Sequence, residues 1–290
     1  MKKILITGIN SYVGNSFETW LNNYPGKYEV EKISLKNESW KERDFSKYNA
    51  VLHVAGIAHV SKDPKLEELY YRVNRDLTIE VAEKSKADGV QQFVFMSSII
   101  VYGEASSNRR VIDEDTIPEP SNFYGNSKLL AENGIKLLEN DYFKVAIIRP
   151  PMIYGKNSKG NYSKLAKVAQ KLPVFPDIEN ERSMLHIDNL SEFLRLIIDN
   201  KESGLFFPQN KEFVKTSEMV RLIAEVHGKS IRLVKVFNPF LKLMSNRVGI
   251  VDKVFGNLVY EQDLSNYKQR YRVHSLKETI IETELRNNKR

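Results

Sequence analysis

Lys3-Ile4-Leu5-Ile6-Thr7-Gly8-Ile9-Asn10-Ser11-Tyr12-Val13-Gly14 decides the fold of this chain of 290 residues. Lys3 to Thr7 reads as a short parallel strand buried on both faces, because its apolar run is unbroken. Gly8 permits a tight turn, and Gly14 permits the next helix to pack closely on the strand. Phe17, Trp20 and Leu21 continue at helical spacing. Backbone amides at the start of such a helix hold a pyrophosphate. Ser11 stands where a middle glycine is more usual; it is small enough to be accommodated but leaves the fingerprint imperfect. The residues expected against a dinucleotide here are Gly8, Asn10, Ser11, Tyr12, Val13 and Gly14.

Outward from this unit the pattern repeats. Glu29 to Leu35 reads as a second strand and Ala50-Val51-Leu52-His53-Val54-Ala55-Gly56 as a third. Small residues at the end of the third, Val54, Ala55 and Gly56, let a cofactor approach the backbone. Phe93 to Ser98 forms a fourth strand, running into Val101-Tyr102-Gly103, and Lys144 to Arg149 a fifth, ending at Pro150-Pro151. Helical stretches, notably Leu66 to Asp88 and Asn122 to Glu139, separate them. Alternating strands and helices predict an α/β fold, a Rossmann-type doubly wound parallel sheet. Ligands in such sheets bind beyond the strand C-termini, where Gly8, Ala55, Ser98 and Arg149 fall. A site for NAD(H) usually carries an acid after the second strand, to bind the ribose hydroxyls. Ser34, Leu35 and Lys36 stand there instead, and Lys36 suits a 2′-phosphate, so NADP(H) is favoured over NAD(H). His53 and His59 have no accompanying carboxylate cluster, so no metal site is expected and His53 reads as a core residue.

Tyr124 precedes Lys128 by four positions, which puts both side chains on one helix face. A free phenol, with a pKa near ~10, is a poor proton carrier at neutral pH. A neighbouring ammonium favours the phenolate, so the pair suits acid/base work on a hydroxyl or carbonyl.

Composition bounds the alternatives. The chain is 41% hydrophobic and 10% aromatic, enough for one large domain or two connected lobes. It has no cysteine, which excludes disulfides, thiolate zinc sites and cysteine nucleophiles. No apolar run approaches the ~20 residues of a membrane span. Met1 to Gly8 is too short and too soon broken for a signal peptide, so a cytoplasmic enzyme is the expectation. The net charge of +7 comes from dispersed residues with no basic-aromatic motif. It reads as a solvated surface, or as attraction to a small diphosphate, rather than as a nucleic-acid interface.

These residues carry a family resemblance. Thr7-Gly8-x-x-Ser11-x-x-Gly14, His53-Val54-Ala55-Gly56, Met96-Ser97-Ser98 with Val101-Tyr102-Gly103, Tyr124-x-x-x-Lys128, Arg149-Pro150 with Tyr154-Gly155, and Arg182-x-x-x-His186-Ile187-Asp188 occur in order from Thr7 to about Leu190. The chain resembles an extended short-chain dehydrogenase/reductase of the nucleotide-sugar epimerase, dehydratase and reductase group. The resemblance implies Tyr124 as the catalytic acid/base and Lys128 as the residue that binds the nicotinamide ribose. It implies Ser98 as the hydroxyl that orients the sugar oxygen, with Ser97 as the fallback. Asp44-Phe45 resembles the pair near the adenine. Asn74 resembles a residue that supports the cofactor site; a capping or turn-bonding asparagine is the equal alternative. Pro151 is placed with the cofactor-binding set. Asn161 and Arg182 resemble contacts to the nucleotide diphosphate, with a surface ion pair the alternative for Arg182; Arg247 is a second phosphate candidate, against the more common arginine on a solvated helix face. His186 and Asp188 are expected to hold two lobes together. Pairing through the helices beside the fourth and fifth strands, common in this superfamily, implies a homodimer.

The C-terminal half alternates between lobes. Residues 1–155, with a returning segment at about 183–208, are expected to form the NAD(P)-binding domain; 156–182 and 209–290 form the substrate lobe. Asn161 to Lys171 and Asn189 to Asp199 read as helices, as does Thr216 to His227 with a Thr216/Ser217 cap. Leu172 to Pro176 reads as extended, and Leu205 to Phe207 as a short strand. Pro239 to Val254 carries apolar residues among Lys242, Arg247 and Lys253, more often a core-facing stripe than a membrane-surface one.

Dehydratases of this group need extra acids, and Ser97-Ser98-Ile99-Ile100 has none. The resemblance, the absent ribose-binding acid and Lys36 together imply an NADPH-dependent reductase of a UDP-4-keto-6-deoxy-hexosamine in bacterial surface-polysaccharide precursor synthesis. The alternative is an NAD-dependent UDP-hexose or UDP-hexosamine 4-epimerase, and a remote one is a non-catalytic NADP(H) sensor or scaffold.

Overall fold

A computed structural model describes residues 1–58, 63–105, 110–239, 241 and 254–285. In chain order the elements are β1 (Lys2–Thr7), α1 (Tyr12–Leu21), β2 (Tyr28–Ile33), β3 (Ala50–His53), α2 (Glu67–Tyr70), α3 (Leu77–Ala87), β4 (Gln92–Met96), β5 (Val111–Ile112) and α4 (Phe123–Lys136). Then follow β6 (Lys144–Ile148), β7 (Met152–Tyr154), α5 (Asn161–Lys171), β8 (Val174–Pro176), β9 (Met184–His186) and α6 (Ile187–Asp199). The last are β10 (Gly204–Phe206), α7 (Thr216–Val226), β11 (Arg232–Val234), β12 (Val259–Tyr260) and α8 (Leu276–Leu285).

The chain divides into two compact units. The first comprises Met1–Gly103, Ile117–Pro150 and Leu190–Pro208, and the second Glu104–Thr116, Pro151–Asn189 and Gln209–Arg290. The return to the first unit thus begins at Leu190 rather than near 183, and Glu104–Thr116 belongs to the second unit.

Six parallel strands form the sheet of the first unit, in the order β10-β6-β4-β3-β1-β2. Their apolar runs are buried on both faces, as Ile4, Leu5, Ile6, Val51, Leu52, Phe93 and Phe95 show at 0% exposure. The chain runs outward from β1 to β2, then starts β3 on the other side of β1, which makes a topological switch point between β1 and β3. The register aligns Thr7 with both Ile33 and His53, so Gly8, Ser34 and Val54 leave one rim side by side. His53 aligns with Phe95, and Met96 with Ile148, which continues the rim to Ser97 and Arg149.

The second unit has its own core, including Tyr154, Tyr162, Phe175, Met184, Val220, Ile223 and Ile280. Helix α7 starts at Thr216 without the expected Thr216/Ser217 cap. Asn180 instead accepts the Thr216 N–H at 3.0 Å, and the Thr216 hydroxyl donates to the Val254 carbonyl at 2.7 Å.

Candidate active site

The turn after β1 is built around Gly8, whose φ of 105° is a left-handed conformation that favours glycine. A Cβ on Gly8 would lie 3.2 Å from the Ala55 nitrogen, and one on Gly14 would lie 2.9 Å from Ile6 Cγ2. Ser11 does more than tolerate its position. It is the N-cap of α1, and its hydroxyl accepts the Gly14 N–H at 3.3 Å. The result is a bare backbone cradle at the switch point, closed on one side by the small residues after β3, and it fits a dinucleotide pyrophosphate. Lys36 is exposed, with no ion pair to a described residue, and no carboxylate stands between Ile33 and Lys36.

Asp44 and Phe45 part company. Asp44 is exposed and accepts from the Ser46 N–H at 2.7 Å; hydrogen bonding from the Ser46 hydroxyl, and then from that N–H, lowers its carboxyl pKa. Phe45 is fully buried, its ring packed on Tyr48 and under Lys84, and its N–H donates to Asp88. Its side chain belongs to the core, so only Asp44 is open to an adenine.

Between α2 and α3 the helix widens to a π-turn over Tyr71–Asp76. Such turns occur often at functional sites. Asn74 in this turn is completely buried. Its side chain accepts the Ile57 N–H at 2.8 Å, donates to the Ile57 carbonyl at 3.0 Å and donates to the Ser127 hydroxyl at 3.2 Å. Asn74 is therefore a latch that fixes the segment after β3 against α4, rather than a helix cap. His53 is buried as expected, between Thr7 (2.8 Å) and Thr78 (3.1 Å). The Thr78 hydroxyl donates to the Asn74 carbonyl, so it accepts from His53 Nε2–H and the Thr7 hydroxyl donates to Nδ1. Burial, and the charge of Lys128, push His53 down to about 3, so it stays neutral.

Ser98, Tyr124 and Lys128 all lie in the first unit. Ser98 caps the single 3-10 turn Ile99–Tyr102, accepting the Ile100 N–H at 3.3 Å, which leaves its own proton free to donate. Asn122 caps α4 by accepting the Gly125 N–H at 3.0 Å. This sets Tyr124 in the first turn and Lys128 one turn on. The Tyr124 ring meets Tyr70 edge to face at 6.0 Å. Lys128, 6% exposed, donates to the Met96 carbonyl at 3.0 Å and lies 4.7 Å over the Phe95 ring. The Gly56 position is pressed between Asn74 Oδ1 and Lys128 Nζ, which a Cβ would meet at 3.0 and 3.2 Å.

Burial pushes the Tyr124 phenol up to about 12, against a lowering hydrogen bond with Ser98 and with a raising contribution from Tyr70. Burial lowers Lys128 to about 8, opposed by the Glu132 carboxylate. Ser97 has no free role, because its hydroxyl is bonded to Glu132. Sequence reasoning missed Glu132, Gly125 and Asn122; of these only Asn122, a capping residue just before a helix, had a local signal.

The residues expected at the phosphates lie in the second unit. Asn161 opens α5, whose N-cap Gly160 offers no side-chain cap to the first amides. Arg182 is half-buried, donates to the Gly256 carbonyl at 3.5 Å, and is lowered to about 10 by burial. Pro151 also belongs to the second unit, and Arg247 lies outside the described residues. His186 bonds with Asn210, Thr283 and Asp188, all within that unit. Among the described residues no group of three or more His, Asp or Glu is placed to hold a metal ion. Among them, too, no helix is long and apolar enough to cross a membrane.

The UDP-glucose 4-epimerase of Vibrio cholerae is 30% identical over 296 residues, covering 92% of this chain and 89% of its own. An N-acetyl-α-D-glucosaminyl-diphospho-ditrans,octacis-undecaprenol 4-epimerase of Escherichia coli O157:H7 is 29% identical, covering 87% and 81%. The dTDP-4-dehydrorhamnose reductase of Bacillus anthracis, solved with NADP, superposes with a TM-score of 0.77 at 20% identity, over 100% of both chains. The sequence profile of the NAD dependent epimerase/dehydratase family matches residues 4–206. With that match and a dinucleotide cradle beside Ser98, Tyr124 and Lys128, the chain belongs to the NAD dependent epimerase/dehydratase family, as an NAD(P)-dependent nucleotide-sugar enzyme of the short-chain dehydrogenase/reductase type.

Proposed function

We propose that this enzyme reduces the 4-keto group of a nucleotide-linked 4-keto-6-deoxy-hexosamine, with UDP as the nucleotide and NADPH as the favoured cofactor, in the supply of surface-polysaccharide precursors. The observation that carries this reading is the rim of β2. Ser34, Leu35 and the exposed Lys36 follow Ile33, with no carboxylate to repel a 2′-phosphate. When bound, the reduced nicotinamide supplies hydride to C4. Tyr124, held protonated by its burial, donates its proton to the oxygen that becomes the C4 hydroxyl. Ser98, with its one hydroxyl proton, donates a second hydrogen bond to that oxygen. Lys128 balances the developing charge and binds the ribose. Asn161 and Arg182 are the residues proposed for the diphosphate, where a guanidinium suits paired acceptor oxygens.

A 4-epimerase is the second reading, favoured by the names of the two curated relatives above. The deciding assay follows absorbance of NADPH mixed with enzyme and a UDP-4-keto-6-deoxy-hexosamine, with NADH and UDP-N-acetylglucosamine as parallel conditions. Stoichiometric NADPH consumption is expected. Interconversion of unmodified UDP-sugars without net consumption, on a protein that carries NAD, would make it an epimerase.

Lys36→Ala tests the cofactor preference separately. Loss of one exposed ion pair costs up to about 1 kcal/mol, so the Kd for NADPH should rise roughly fivefold while that for NADH stays constant. Equal effects on both cofactors would remove Lys36 from the 2′-phosphate.

A further inference from the structure

Behind Lys128 lies a buried polar cluster that the reaction above does not use. Glu132, one helical turn further along α4, is completely buried. Arg149, leaving β6, is 3% exposed and grips it with Nη2 at 2.6 Å and Nε at 3.0 Å. Arg149 Nη1 donates to the Tyr102 hydroxyl at 2.6 Å, and the Ser97 hydroxyl bonds to Glu132 from the end of β4. Lys128 donates to the carbonyl of Met96, and the next residue, Ser97, bonds to Glu132, so the buried ammonium and the buried carboxylate meet neighbouring residues at the end of β4. Taking an ammonium out of water is unfavourable unless a counter-charge is near. Side chains at i and i+4 on a helix are neighbours, and Glu132 is the carboxylate in that position for Lys128.

We propose that Glu132 is a positioning residue of the active site, the counter-charge that keeps the buried Lys128 ammonium protonated. The titratable groups around Lys128 come from several elements: Tyr124 and Glu132 from α4, His53 from β3, Arg149 from the end of β6, and Tyr70 from α2 behind Tyr124. From β4 come the Phe95 ring and the Met96 carbonyl, neither of which titrates. His53 is neutral above about 3 and Tyr124 is protonated below about 12. Glu132 is the carboxylate among these groups, and its effect on Lys128 is to raise it against the lowering by burial.

The test reads Lys128 directly, as the pH titration of its 13Cε resonance in lysine-labelled protein, assigned with Lys128→Arg. Glu132 matters through the role proposed above for Lys128, yet this measurement needs no substrate and no turnover. A wrong function would show as absent NADPH consumption, a wrong assignment of Glu132 as an unmoved titration. In Glu132→Gln the midpoint should fall by about one pH unit or more. In Arg149→Met, which breaks the same ion pair but keeps the carboxylate, it should stay or rise. A merely structural cluster would treat both variants alike. Each single variant leaves a buried charge unpartnered, so Glu132→Gln/Arg149→Met, with no charge left over, is the third arm. Its midpoint should also fall below wild type, and it decides if Glu132→Gln does not fold. A wild-type midpoint in the carboxylate-free variants, or an equal fall in Arg149→Met, overturns the proposal.

Discussion

Tyr124→Phe should lower kcat by about 10³-fold and leave the Kd for NADPH nearly unchanged. The substitution removes one oxygen and keeps the ring, which rests edge to face on Tyr70 at 6.0 Å. Asn122 still caps α4, and Lys128 still reaches the Met96 carbonyl, so the cofactor side of the site is untouched. What disappears is the proton. A phenol pushed up to about 12 stays protonated through the physiological range, which is the form that a developing alkoxide needs. Neither His53, sealed between Thr7 and Thr78, nor Ser97, bonded to Glu132, is placed to supply one. Single-turnover kinetics with pre-bound NADPH would separate chemistry from binding. Turnover within tenfold of wild type would transfer the acid role elsewhere, with Ser98 the next residue to replace. A matching loss of NADPH affinity would instead show that the phenol holds the cofactor.

The features legible in the sequence are those that local chemistry dictates. Apolar runs such as Val51-Leu52 and Phe93 to Met96 announce parallel strands, because both faces are buried. Gly8 and Gly14 announce the cradle, because a side chain would strike Ala55 or Ile6. Where the reading fell short, the determinant was distant in sequence. Sequence leaves Asn74 between a capping or turn-bonding residue and a cofactor support; its partners, Ile57 and Ser127, are 17 and 53 positions away, and no spacing rule joins them. The 17 positions between Glu132 and Arg149 carry no period either. Ser11 was judged against glycine, yet it contributes what glycine lacks, an oxygen for the Gly14 N–H. The resemblance pairs Phe45 with Asp44 near the adenine, but the Phe45 ring goes into the core with Trp40 and Tyr48. The described hydrogen bond of Lys128 goes to the Met96 backbone, a partner that sequence does not name.

Gly125→Ala separates two accounts of the residue between Tyr124 and Asn126. Helix propensity alone predicts stabilisation, since alanine is favoured over glycine by up to about 1 kcal/mol inside a helix. The packing predicts the opposite. Gly125 is buried, and a Cβ there would lie 2.7 Å from the Ile100 carbonyl oxygen and 2.9 Å from Pro120 Cβ. The Ile100 oxygen cannot swing aside, because it accepts the Gly103 N–H at 2.9 Å within the turn that Ser98 caps. The first turn of α4 must therefore move off that turn, and the displacement falls between Ser98 and Tyr124. Overpacking of this kind costs about 1–3 kcal/mol, so the melting temperature should drop by several degrees. Misplacing a catalytic pair by about 1 Å costs on the order of 10²-fold, and kcat/KM should fall accordingly. Thermal melts of the free protein and kcat/KM with NADPH measure the two effects independently. A higher melting temperature with unchanged kcat/KM would mean that α4 does not need glycine's bare backbone to bring Tyr124 to Ser98. The expected joint loss would identify Gly125, rather than the four-residue spacing of Tyr124 and Lys128, as the feature that lets a helix approach the serine turn closely enough for the two hydroxyls to share a proton.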